Sequence, residues 1–153
     1  MRPLALVVLF IGARTAGADR GQHGSIGGGG SLVLAGAEGD RLRTDLQVDL
    51  KPHSRYGGSL AWRGFDQDHR GVVTAGLVFE AAAARPRLVV DLHADLGADL
   101  DRRAPVLGGG IRNTLTIVGP LGIALDAGGY LAVDGIEHSR LVVATNALLV
   151  ARW

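Results

Sequence analysis

The sequence predicts an all-β fold, a single antiparallel up-and-down barrel of eight strands. Apolar and polar residues alternate with a period of two in eight successive segments, each about 10 to 13 residues long. A period of two puts alternate side chains on opposite faces of a strand, whereas a helix would scatter both sets around its circumference. An even number of strands also returns both ends of a barrel to the same side.

The segment from Arg41 to Lys51 shows the pattern most clearly. Its odd positions are charged or carry an amide, and its even positions are apolar or threonine. The odd set is Arg41, Arg43, Asp45, Gln47, Asp49 and Lys51, and the even set is Leu42, Thr44, Leu46, Val48 and Leu50. This strand therefore has one apolar face and one charged face.

The remaining segments repeat this alternation along the chain. The eight predicted strands are His23 to Ala37, Arg41 to Lys51, Arg55 to Phe65, Gly71 to Glu80, Arg87 to Leu96, Val106 to Val118, Leu121 to Val133 and Arg140 to Trp153. The first contains Gly27 to Gly30 and the sixth contains Gly108 to Gly110. Glycine inside a strand marks a bend or a close approach of neighbouring atoms.

The connections alternate between tight turns at one end and longer loops at the other. The predicted turns are Pro52 to Ser54, Ala81 to Pro86 and Gly119 to Pro120. The predicted loops are Ala37 to Asp40, Asp66 to Arg70, Gly97 to Pro105 and Asp134 to Ser139. These loops are short, so they leave little chain from which to build a deep binding pocket.

The first 18 residues are expected to form a cleaved export signal. Arg2 precedes an apolar run from Leu4 to Ile11, and Ala16 to Ala18 fit a small-x-small cleavage site. The run is shorter than the roughly 20 residues that a membrane-spanning helix needs. This division leaves residues 19–153 as one β-barrel domain.

The composition of that domain argues against several classes of protein. The chain contains no cysteine, so a small exported domain would need a stabiliser other than disulfides. Removing Arg2 and Arg14 from the 16 basic residues leaves 14, against 15 acidic residues. A net charge near zero gives no reason to expect a nucleic-acid partner.

The last segment ends on an aromatic residue, Trp153, at the end of an amphipathic strand. A chain with these features resembles the small eight-stranded bacterial outer-membrane β-barrels, the OmpA-like and OmpX-like transmembrane barrels. The resemblance implies a location in the outer membrane of a Gram-negative-type bacterium and contact with outer-membrane lipids and lipopolysaccharide. The sequence leaves the oligomeric state open and favours a monomer. It also implies that Trp153 is the signal that the barrel-assembly machinery reads.

Alternation alone does not decide which face lies inside, because a soluble lipocalin-like barrel alternates with its apolar face inward. Aromatic residues near both ends of the apolar face favour a membrane barrel, in which such residues form girdles at the two interfaces. The expected girdle residues are Tyr56, Phe79 and Trp153 at one rim and Trp62 and Phe65 at the other. The soluble exported barrel, which would bind a small apolar ligand, is kept as the alternative.

The charged face would then line a lumen that is only wide enough for side chains to fill. The expected charge network is Arg41, Arg43, Asp45, Asp49, Arg63, Glu80, Asp91, His93, Asp95, Arg112 and Asp126. Charges of both signs favour a packed network over an open pore. His93 lies between Asp91 and Asp95 on this face, but no cysteine or nearby second histidine joins it, which favours a buried structural histidine over a metal ligand.

These features predict an envelope protein that supports membrane integrity or surface contact, without catalysis, cofactor or metal. A second alternative is an enzyme that modifies the acyl chains of lipid A, because deacylases of this size carry a His-x-Ser-Asn pattern. Here His138 and Ser139 are adjacent and the asparagine is missing. Adjacent strand residues point to opposite faces, which opposes activation of the serine by the histidine.

Overall fold

The computed structural model describes residues 23–35, 42–52, 55–65, 70–84, 87–133 and 139–153. These residues form eight strands, β1 His23–Ala35, β2 Leu42–Lys51, β3 Tyr56–Phe65, β4 Val72–Ala84, β5 Leu88–Asp99, β6 Ala104–Val118, β7 Leu121–Ala132 and β8 Arg140–Arg152. The expected export signal, Arg41 and His138 lie outside the described residues. No helix in the described ranges is long and apolar enough to cross a membrane.

Each strand pairs antiparallel with its neighbours in sequence, and β1 pairs with β8 to close the barrel. The predicted fold, a closed eight-stranded antiparallel up-and-down barrel, is therefore confirmed. The seam between β1 and β8 continues to the last residue, since Gly24 and Trp153 exchange two backbone hydrogen bonds of 3.1 Å. Closure leaves none of these eight strands with an unpaired edge.

The alternating pattern puts large apolar side chains outside and polar ones inside. On β4, Leu77 is 75% exposed while its neighbour Val78 is 1% exposed. On β2, Leu46 and Leu50 are exposed while Asp45 and Asp49 are buried. The apolar face of the strands is thus the outer surface of the barrel, and charged residues occupy its interior.

The connection between β5 and β6 differs from the predicted loop from Gly97 to Pro105. Both strands extend further, and a turn of four residues, 100–103, joins them. Asp99 holds this turn by accepting hydrogen bonds of 3.0 Å from the backbone nitrogens of Asp101 and Arg102. Arg103 takes a left-handed backbone conformation with φ of 56°. The predicted bounds of this loop are therefore wrong, because the two strands continue into a tight turn that the Asp99 side chain holds.

A register shift in β3 decides the orientation of Phe65. Thr44 pairs with Phe65 and Leu46 with Trp62, so β3 contains one extra residue there. Gly64 adopts φ of 66°, which the absence of a Cβ permits. Strict alternation would put Trp62 and Phe65 on opposite faces. The shift brings their rings together, with centroids 4.5 Å apart.

The interior also contains buried apolar side chains. Val72, Val106 and Ala132 form one buried cluster, against which Tyr130 packs. Ala124, Leu148 and Val150 form a second. β8 has apolar residues on both of its faces, and Leu148 is 2% exposed whereas Leu149 is 70% exposed.

Candidate functional site

The candidate functional site is a network of buried ion pairs across the lumen, centred on Arg112 of β6. Its Nε and Nη2 atoms donate to Oδ2 of Asp126 on β7 at 3.2 and 3.1 Å. Its Nη1 atom donates to Oδ2 of Asp49 on β2 at 2.6 Å. Because β2 lies opposite β6 in the barrel, the Arg112 side chain joins the two walls of the lumen.

Two further hydrogen bonds fix the Asp49 carboxylate. Ser25 donates from its hydroxyl at 3.1 Å, and Gln47 donates from its side-chain amide at 2.9 Å. A buried carboxylate is stable when its lone pairs have donors. The Asp49 side chain has three, one of them the Arg112 guanidinium.

His93 of β5 lies between two carboxylates. Its Nδ1 is 2.6 Å from Oδ2 of Asp95, and its Nε2 is 3.0 Å from Oδ1 of Asp126. The imidazole is fully buried. An ionised carboxylate only accepts hydrogen bonds, so with both carboxylates ionised each ring nitrogen has to carry a hydrogen. The ring therefore acts as a cross-link within the network and has no lone pair facing an open space.

Two more cations form ion pairs inside the barrel. Lys51 reaches from the end of β2 to Asp91 on β5, with Nζ 2.5 Å from Oδ1. Arg63 of β3 places its Nη2 atom 3.4 Å from Asp95 and 3.7 Å from Asp126. Every strand from β2 to β7 except β4 contributes a charge to these pairs.

Glycines make room for the histidine and its partners. A Cβ added at Gly110 would lie 2.8 Å from Nε2 of His93 and 2.6 Å from the backbone oxygen of Ala127. A Cβ added at Gly76 would overlap Oδ1 of Asp95. Such contacts are shorter than packed atoms tolerate. The glycines that the sequence pattern marked as close-packing positions include Gly110, which has this role.

A small cavity lies beside the network. Its volume is about 20 Å³, and Arg43, Tyr130 and Asn146 are among the residues that line it. That volume holds about one or two water molecules. Arg43 Nε and Asn146 Oδ1 are buried without a protein hydrogen-bond partner, so the cavity is polar where they face it.

The expected network residues are distributed unevenly in the structure. Asp49, Arg63, His93, Asp95, Arg112 and Asp126 are joined by the ion pairs above, and Asp91 forms a separate pair with Lys51. Asp45 lies apart from them, where it accepts from Ser31 at 3.1 Å and from the backbone of Gly64 at 2.6 Å. Glu80 and Arg43 are half-buried. In the described ranges no group of three or more side chains could hold a metal ion.

Sequence analysis missed several members of the site. Lys51 and Gln47 were seen on the charged face of β2 but were not assigned to the network. Ser25 and Ser59 were not singled out, although Ser59 donates to Asp95 at 3.2 Å. All four share their strand face with buried residues, so position in the alternation could have identified them. Their partners could not be identified, since three of the four bond across strands.

The outward aromatic residues lie in two groups. Tyr56 and Phe79 are cross-strand partners whose rings stack 6.2 Å apart. Trp62 and Phe65 meet at the other end of β3, where the indole nitrogen of Trp62 donates to the backbone oxygen of Arg70 at 2.6 Å. Trp153 lies over Gly24, because a Cβ added at Gly24 would overlap the indole.

Ser139 is exposed and lies directly before β8. Its neighbour His138 is outside the described ranges, so the geometry of this pair is not part of the described structure. Near the same end, Asp101 accepts hydrogen bonds from the backbone nitrogens of Arg70 and Gly71 at 2.8 and 3.1 Å. This carboxylate therefore joins two connections at the rim.

Comparison with known proteins gives structural matches only. No protein-family model and no curated protein sequence matches the chain. A crystal structure of Ail, the attachment invasion locus protein of Yersinia pestis, is 20% identical with a TM-score of 0.42, covering 88% of this chain and 100% of that one. A second structure, of Ail in complex with the heparin analogue sucrose octasulfate, is 17% identical with a TM-score of 0.43 and the same coverage. At these values we transfer neither partner nor role to this chain.

Proposed function

We propose that this chain is an outer-membrane barrel whose strands cross the lipid bilayer. The observation that supports the proposal most strongly is the inverted arrangement of its two surfaces. Leu77, Leu96 and Leu149 are 75%, 66% and 70% exposed, while Asp95 and Asp126 are 1% exposed. A water-soluble barrel of this size would have the opposite distribution.

The apolar outer surface extends around the whole barrel. Every strand contributes at least one exposed large apolar side chain. Soluble monomers rarely expose contiguous apolar patches beyond a few hundred Å², and larger ones mark contact with a membrane or a partner. A surface that surrounds the barrel on all sides fits a lipid environment better than a single protein interface.

The closed barrel satisfies the second requirement of a lipid environment. Lipid offers no hydrogen-bond partner to the backbone, so a membrane-spanning sheet must pair every strand on both sides. The ring of pairs from β1 to β8 does so. A charge moved to the lipid face would cost about 2–4 kcal/mol at the midplane, which explains why the charged residues are inside.

The interior opposes the alternative of a soluble barrel that binds an apolar ligand. Ligand pockets generally have volumes of about 300–1,000 Å³. The cavity beside Arg43 and Asn146 has a volume of about 20 Å³, and paired charges fill the space next to it. A barrel whose lumen is packed in this way suits a structural role better than ligand binding.

The proposed role is support of the envelope or contact at the cell surface, without catalysis or cofactor. We further propose that residues 1–18 direct export, that residues 19–153 form the barrel, and that the barrel-assembly machinery recognises Trp153. The proposed partners are outer-membrane lipids and lipopolysaccharide. Arg70 and Arg102 are exposed arginines at the rim, and their guanidinium groups suit the phosphate groups of lipid heads.

Cell fractionation combined with gel mobility tests the proposal. We expect the protein in the outer-membrane fraction, with faster migration unboiled than boiled because the folded barrel resists detergent. Recovery from the soluble periplasm with unchanged mobility would contradict it. Mass spectrometry of lipid A from cells with and without the protein separates the enzyme alternative. Loss of an acyl modification that His138→Ala reproduces would establish that alternative.

A further inference from the structure

The two ends of the barrel differ in charge. The turn rim, which we define as residues 51–56, 80–87, 118–121 and 152–153, lies where the short turns join the strands. The loop rim at the opposite end consists of residues 36–41, 66–70, 99–103 and 134–140. Arg85 and much of the loop rim lie outside the described residues and are counted here from the sequence alone. The loop rim has more acidic than basic residues, whereas the turn rim has one acidic residue, Glu80, and the basic residues Lys51, Arg55, Arg85, Arg87 and Arg152.

Two arginines of the turn rim have no internal partner. Lys51 forms an ion pair inside the barrel, and the Arg152 side chain donates a hydrogen bond to Thr116 Oγ1 at 3.2 Å. The side chains of Arg55 and Arg87 are exposed, and neither guanidinium pairs with a carboxylate of the described residues. These two charges are therefore available to a ligand outside the described part of the protein.

Both arginines adjoin outward residues of the apolar surface. Arg55 directly precedes Tyr56, the first residue of β3, whose ring stacks on Phe79. Arg87 directly precedes Leu88, the first residue of β5, which is 37% exposed. Aromatic residues such as Tyr56 settle at the membrane interface, where lipid headgroups begin. Because both arginines precede their strands and are exposed, their long side chains can reach that level while their stems cover apolar surface.

We propose that the turn rim binds the phosphate groups of anionic phospholipids in the membrane leaflet around it. A guanidinium presents a planar set of N–H donors that matches the oxygens of a phosphate group. Arg55, Arg87 and Arg152 stand at the ends of β3, β5 and β8, so the basic residues are spread around the barrel. This distribution fits headgroups that surround the rim better than one soluble acidic partner. The proposal rests on the proposed membrane location and names the lipid class at one end of the barrel.

Electron spin resonance of spin-labelled lipids tests the proposal, with the barrel inserted in phosphatidylcholine vesicles at low ionic strength. We expect the barrel to prefer labelled phosphatidylglycerol to labelled phosphatidylcholine, and Arg55→Gln with Arg87→Gln to lower that preference. Arg103→Gln with Arg140→Gln is the matched control, which removes two charges from the loop rim. It should leave the preference unchanged, because the acidic residues of that rim offset its arginines. Added salt should weaken the wild-type preference, since it screens exposed charges.

Nuclear magnetic resonance resolves the individual sites. When phosphatidylglycerol is titrated into phosphatidylcholine bicelles that hold the barrel, the backbone amides of Tyr56 and Leu88 should shift. Arg55→Gln should weaken binding at Tyr56 alone by about fivefold, the contribution of one basic residue near an anionic surface. An equal response to inorganic phosphate, an inserted barrel without a lipid preference, or an equal loss in both double variants overturns the lipid proposal alone. Failure to insert into vesicles is seen beforehand and overturns the proposed function as well.

Discussion

Arg112 and Asp126 face each other directly across β6 and β7, and their side chains meet inside the barrel at 3.1 Å. The same guanidinium lies 2.6 Å from Asp49 on the opposite wall. Arg112 is thus the cation that pairs with two buried carboxylates, one on the neighbouring strand and one on the opposite wall. The stability of the lumen should be most sensitive to this residue.

Arg112→Met should lower the free energy of unfolding by about 3–5 kcal/mol, because it leaves buried Asp49 and Asp126 without their strongest partner. Arg102→Met is the matched control, since Arg102 is exposed in the turn after β5 and should change stability by no more than about 0.5 kcal/mol. Urea unfolding in lipid vesicles measures both. Equal stability of the two variants would mean that the ion-pair network contributes little to the free energy of unfolding.

Gly110→Ala should displace the His93 ring, because the added Cβ would overlap both the ring nitrogen and the backbone of β7. Overpacking of this kind costs about 1–3 kcal/mol of unfolding free energy. Gly58→Ala is the control, since its Cβ would meet only the Gly76 oxygen, at an ordinary 3.7 Å. We expect the control to fold with unchanged or slightly raised stability, and a similar loss in both variants would show that His93 is not held as described.

Trp153→Ala should reduce the amount of folded barrel in the outer membrane, and Trp153→Phe should preserve it, if an aromatic residue is needed at this position. The contact between Trp153 and Gly24 allows a more specific test of this position. Gly24→Ala should be damaging in the wild type, where its Cβ overlaps the indole, and harmless in Trp153→Ala. A double-mutant cycle that shows no coupling between the two positions would contradict the contact between Trp153 and Gly24.

Purified protein in planar bilayers should give little or no steady conductance. The Arg112 and His93 bridges cross the lumen and join its walls, which leaves no continuous water-filled path through that layer. A stable channel whose ion selectivity changes in Arg43→Ala or Asp91→Ala would contradict a packed lumen.

The fold could be predicted from the sequence because alternation encodes which side chains share a face. The partners of those side chains could not. Lys51 and Asp91 are 40 positions apart and meet only because the barrel closes. The orientation of Phe65 depends on a single extra residue in β3 and on the positive φ of Gly64. A shift of one residue reverses the face of every later side chain, and no periodicity reveals it in advance.

Strands with apolar residues on both faces set a second limit on what the sequence can predict, because both sets of side chains suit either face. On β8, Leu148 and Leu149 are chemically alike, yet one is buried in the lumen and the other is exposed. Barrel geometry decides between them, since the inward position packs with Ala124 of β7.

The most direct test of the central claim is depth-dependent quenching of tryptophan fluorescence by brominated lipids. The chain has two tryptophans, and both are exposed on the outer surface, Trp62 beside Phe65 and Trp153 over Gly24, so Trp62→Phe and Trp153→Phe isolate each one. We predict that both are quenched, and more strongly by bromine near the headgroups than by bromine at the acyl-chain ends, because each lies at an interface. Fluorescence that brominated vesicles leave unchanged, from protein that stays in the aqueous phase, would contradict a barrel whose apolar surface faces lipid.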